Sequence, residues 1–137
     1  MSLIYLVAAV SGVLIGGIRL YIANKPWLAL RSGISKFKKS SAAQYLVADV
    51  FGFGGHYMDS LPPSVWFVTK TDEDRHRLSH DESLIVAFKE VLQKAAYPSS
   101  EISSLIFVCE SQETVNRDYQ GSWSRCKFSW RKQQSNG

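Results

Sequence analysis

The chain has 137 residues, with 16 Lys plus Arg against 12 Asp plus Glu and a net charge of +4. That length holds an N-terminal apolar run and one domain of about a hundred residues, and so small a charge surplus is weak support for nucleic acid as the partner. Its two cysteines, Cys109 and Cys126, exclude a disulfide framework and suit reducing surroundings.

Residues 3–22, LIYLVAAVSGVLIGGIRLYI, carry one charge, Arg19. A bilayer core about 30 Å thick takes roughly 20 apolar helical residues to cross. Arg19 would snorkel to the headgroups at one end, with Tyr21, Lys25 and Trp27 at the interface. The stretch therefore predicts a membrane-spanning helix within residues 1–24. A cleaved signal peptide fits less well, lacking a basic start and an A-x-A site. A buried globular helix, or a strand pair broken at Ser11-Gly12, is the other reading. Arg19, Lys25, Arg31, Lys36, Lys38 and Lys39 follow the run and no acid precedes Asp49. This bias predicts a single-pass membrane protein with its N-terminus outside and its C-terminal domain in the cytoplasm. Ala8, Gly12 and Gly16 recur every fourth residue and would pack helix on helix, in a homo-oligomer or against a partner membrane protein.

Residues 25–41 read as a basic juxtamembrane linker, 42–132 as the domain and 133–137 as a disordered tail. A helix is expected from Ser40 or Ser41, burying Ala42, Ala43, Tyr45, Leu46, Val47 and Val50. Phe51-Gly52-Phe53-Gly54-Gly55-His56-Tyr57 then joins glycines, which allow close backbone approach to a ligand, with aromatics that stack. It has neither the Gly-Lys-Ser/Thr ending of a P-loop nor the spacing of a dinucleotide fingerprint.

Pro62-Pro63 breaks the chain, Val65–Val68 reads as a strand, and Asp72–Arg77 as a charged loop. Ser79 and Glu82 form a capping box opening a helix to about Ala96, with Leu84, Phe88, Val91, Leu92 and Ala95 on its apolar stripe. Ser79 as N-cap leaves His76 outside that helix, so the His76/His80 spacing does not set two imidazoles on one face. Leu105–Cys109 is an apolar strand buried on both faces, and Asn116–Gly121 a loop. Ser122–Arg131 alternates, with Cys126, Phe128 and Trp130 on one side and Arg125, Lys127 and Arg131 on the other. It reads as a half-buried strand forming a hairpin with the strand before it. The expected fold class is α+β: a single N-terminal transmembrane helix, then a small domain with an antiparallel sheet and one or two packed helices.

No catalytic, metal-ligating or cofactor motif stands out, and Cys109 reads as an inert core thiol. The binding candidates are Gly52, Phe53, Gly54, Gly55 and His56, with Trp123, Arg125, Lys127 and Arg131, where cations beside aromatics suit phosphate and a stacked base. The leading expectation is a membrane-anchored cytoplasmic interaction or sensing module for a partner or an anionic ligand. A membrane-tethered nucleotide or nucleic-acid binder is the alternative. A small enzyme on a phosphorylated substrate, using His56 and Asp59, is the third reading.

Overall fold

A computed structural model describes residues 25–55 and 61–136. Its sheet has three strands in the order β1-β2-β3: β1 (Asp49–Phe53), β2 (Ser64–Thr69) and β3 (Ile106–Ser111). The helices among the described residues are α1 (Pro26–Ser40), α2 (Asp72–Ser79), α3 (Glu82–Lys94), α4 (Ser99–Ile102), α5 (Gln112–Asp118) and α6 (Trp123–Ser135), with a 3₁₀ turn at Ala42–Tyr45.

The strands form because β2 and β3 are runs of β-branched and aromatic residues. β1 pairs antiparallel with β2, Phe51 opposite Trp66. β3 pairs with β2 in parallel, Val108 opposite Trp66 and Cys109 opposite Phe67. Parallel strands need a long crossover, and the stretch from Lys70 to Leu105, carrying α2, α3 and α4, supplies it. Every residue of β2 is buried.

α1 and α3 cover one sheet face. Pro26 starts α1 at a position where its missing N–H costs nothing, and Ala29, Leu30, Ile34 and Phe37 are its buried stripe. Asp81 caps α3 by accepting from Ser83 N–H, and Leu84, Phe88 and Leu92 point inward. Phe37, Phe67 and Phe88 meet edge to face at centroid separations of 5.3–5.9 Å, favoured geometry for aromatic pairs. The opposite face shows Phe51, Phe53, Trp66 and Val108, packed with Val115 of α5, Tyr119, and Trp123, Cys126 and Trp130 of α6. Trp66 is buried with its indole N–H donating to Ser64 Oγ at 3.0 Å, and that hydroxyl donates to the Phe53 carbonyl at 2.7 Å.

Several expectations are corrected. The sheet is mixed rather than antiparallel, and six helices rather than one or two are found among the described residues. The membrane-spanning helix expected in residues 1–24, with Ala8, Gly12 and Gly16, lies outside the described residues. No described helix is long and apolar enough to cross a membrane. The transmembrane fold class and the membrane and cytoplasmic placement built on it are therefore set aside.

Residues 25–41 are mostly α1, whose buried stripe holds it on the sheet. The helix expected from residue 40 shrinks to a 3₁₀ turn, and Val50 belongs to β1. Asp72–Arg77 lies in α2, because the Thr71 side chain accepts from Asp74 N–H and three acids fill the first turn, where they complement the helix dipole. Ser79 thus ends α2 and does not open α3. Asn116–Asp118 is the end of α5. Residues 122–131 are helical: Ser122 caps α6 through Arg125 N–H, and Trp123, Cys126 and Trp130, at helical spacing, turn toward Trp66.

Candidate functional site

The glycine-aromatic stretch and the basic C-terminal segment, far apart in the chain, meet on one face of the sheet. Phe51 stacks on Trp66 at 5.5 Å and meets Trp123 edge to face at 5.6 Å. Phe53 packs on Trp130 at 6.0 Å. The Lys127 ammonium lies 5.3 Å from the Phe51 ring centre and 5.5 Å from that of Phe53, cation–π distances that hold its charge beside the aromatic wall.

Beside these rings opens a cavity of about 430 Å³ lined by Ala48, Asp49, Phe51, Val68, Lys70, Gln112, Trp123 and Lys127. Its volume lies in the range of small-ligand sites. Lys70 follows directly on β2, so the cavity borders the carboxyl end of a strand in a parallel pair, where ligand crevices gather in α/β sheets. The Trp123 indole donates to Gln112 Oε1 at 3.0 Å, and the Gln112 amide donates to Asn116 Oδ1 at 2.9 Å. These bonds fix the Trp123 ring. Asp49, the one acid of the lining, pairs with Lys38 at 2.7 Å and accepts from Val50 N–H, so Lys70 and Lys127 leave the cavity electropositive. A neighbouring cavity of about 400 Å³ shares Ala48 and Lys70 and adds Leu46, Val47 and Asp74. Leu46, 53% exposed, holds a left-handed backbone at φ 58°, a conformation that costs a branched residue energy.

Of the expected binding residues, Phe53, Trp123 and Lys127 are brought together here, and Gly52 lies in β1 beside them. Gly54 and Gly55 have φ of 80° and 50°, and a Cβ on either would strike the backbone of Pro62 or Pro63. Their close approach is to their own chain. His56 lies outside the described residues. Arg125 is exposed and bonds Gln120. Arg131 sits a turn beyond Lys127 on α6 and does not line the cavity. Lys70 and Gln112 were missed. Their signal depends on knowing that β2 ends in a parallel pair, which the hairpin expectation hid.

A dense polar cluster joins the start of α2 to α5. The Asp72 carboxylate accepts from the Ser111 hydroxyl, from Thr114 Oγ1 at 2.6 Å and from Arg117 Nη1 at 2.8 Å. Those hydrogen bonds, the Ser111 hydroxyl's foremost, hold its carboxyl well below the usual carboxylate range. Arg75 reaches Glu110 at 2.9 Å and Thr114 at 3.0 Å, and Glu113 accepts from Asp72 N–H at 2.7 Å. The Asp72 carboxylate is satisfied by these partners and stays ionised, which makes it a clamp between two helix starts and a poor proton acceptor.

Burial pushes the Cys109 and Cys126 thiols up to about 11, away from nucleophilic use. Among the described residues no group of three His, Cys, Asp or Glu side chains is placed to hold a metal. Compared with known proteins, the chain matches no family model, no curated protein and no solved structure.

Proposed function

We propose that the domain is a binding module that takes a small anion bearing a flat apolar group, of which a nucleotide is the simplest class, in the cavity between β1 and α6. The observation that carries this reading is the placement of Lys127 over Phe51 and Phe53 while Lys70 and Trp123 line the same cavity. Cations supply attraction for phosphate or carboxylate, and an aromatic wall favours a flat partner. A binding role is preferred to a catalytic one because the best-converged polar group, Asp72, is fully engaged by its neighbours.

The test is titration of the full chain with ATP, followed by tryptophan fluorescence. Saturable quenching is expected, weakening with salt and weakened in both Lys127→Met and Lys70→Met. Inorganic phosphate alone should bind more weakly, because it leaves the aromatic wall unused. A linear, unsaturable response, or identical affinity in both lysine variants, would remove the reading.

A further inference from the structure

His76 and His80 were separated by the expected helix boundary, but α2 runs Asp72–Ser79 with His80 as its C-cap, so both lie on one turn. Their ring centres are 4.8 Å apart and both residues are exposed. The His80 Nδ1 lies 2.9 Å from the His76 carbonyl oxygen. A carbonyl only accepts, so this contact is made by an Nδ1–H donor, which in the neutral imidazole leaves Nε2 as the metal-binding nitrogen. This is the arrangement of a metal-binding imidazole, whose other ring nitrogen donates to a backbone carbonyl and thereby sets tautomer and ring orientation.

The ring spacing agrees. With metal–nitrogen bonds of about 2.0–2.1 Å, each ring centre would lie about 3.2 Å from an ion, and ligand angles from about 90° to about 109° would set the two centres about 4.5–5.2 Å apart, a range that includes the 4.8 Å seen here. We propose that His76 and His80 form a surface chelate for a divalent late transition ion of the zinc, nickel or copper class, the ions that imidazole suits. The two histidines supply two ligands, and water or a donor from a second molecule fills the remaining positions. Such a chelate ties the last turn of α2 together. The proposal is independent of the cavity beside α6, since none of that cavity's lining residues takes part.

The experiment is calorimetric titration of the full chain, thiols kept reduced, with Zn²⁺ alone, alongside ¹H–¹⁵N spectra of the imidazole rings. One saturable site is expected, with the imidazole resonances of His76 and His80 shifting together. His76→Ala and His80→Ala should each weaken binding by about tenfold or more, while His56→Ala leaves it unchanged. Absence of a saturable site, unchanged affinity in either single variant, or loss of binding in His56→Ala would each overturn the proposal.

Discussion

The Asp72 carboxylate, at the start of α2, meets the Arg117 guanidinium, near the end of α5, at 2.8 Å across 45 residues of sequence. Ser111 and Thr114 complete the ring around the same carboxylate, so one side chain joins the helices that follow β2 and β3. Its folded-state pKa lies below the ordinary value. The stability it contributes is therefore fully present above about pH 4, the unfolded carboxylate's range, and is lost as pH falls toward the depressed folded value. Asp72→Asn should lower the melting temperature at pH 7 and should flatten the fall of melting temperature below pH 4. Thermal scans from pH 7 to 2 on both chains check this, and parallel curves would refute it.

Phe88 is fully buried between Phe37 and Phe67. Phe88→Ala leaves a cavity between α1, α3 and the sheet and should cost about 3–5 kcal/mol. Urea unfolding, with an unchanged slope and a lower midpoint, is the expected result.

Gly54 holds φ at 80°, and a Cβ there would lie 2.6 Å from the Pro62 carbonyl oxygen. Gly54→Ala meets a conformational penalty and a backbone clash together, and should destabilise by about 1–3 kcal/mol. Because Phe53 is the preceding residue, the same variant should shift the near-ultraviolet signal of Trp66 and Trp130, which Phe53 touches.

The raised thiols of Cys109 and Cys126 predict slow labelling by a disulfide reagent at pH 8 in the folded chain and rapid labelling in denaturant. No internal disulfide should form on mild oxidation, since Cys109 packs with the α1/α3 side of the sheet and Cys126 with the α6 side. Two fast thiols in the native chain would contradict this.

Lys127→Met keeps the stem that packs on Phe51 and removes the charge. It should leave the melting temperature nearly unchanged and weaken ATP binding about tenfold, or about 1.4 kcal/mol. Equal affinity at low and high salt would argue that the lysines play no part.

The sequence was most legible where one period dominated. Leu84, Phe88 and Leu92 recur every four residues and mark α3 unambiguously, and the apolar runs of β2 and β3 admit little but strand. It was least legible where two periods fit. In residues 122–131, Cys126, Phe128 and Trp130 satisfy alternation, while Trp123, Cys126 and Trp130 satisfy a helix. The Ser122 cap and the need to cover Trp66 decide for the helix. Thr71 before three acids was a readable helix start that the charge run concealed. At the candidate site, Phe53, Trp123 and Lys127 were visible as residue types beside glycine or charge. Lys70 and Gln112 were not, because their position follows from strand order, a long-range property that local pattern does not carry.

Strand β2 has a neighbour on each edge and helices over each face, and none of its six residues is open to water. Solvent reaches its amides only when a whole layer departs. Deuterium should therefore enter the amides of Val65 to Val68 at the rate of global opening, while α6, on the outside, exchanges through smaller excursions. The middle strand thus serves as a clock for complete unfolding, and any ligand that holds the folded state should slow it by the full extent of its binding.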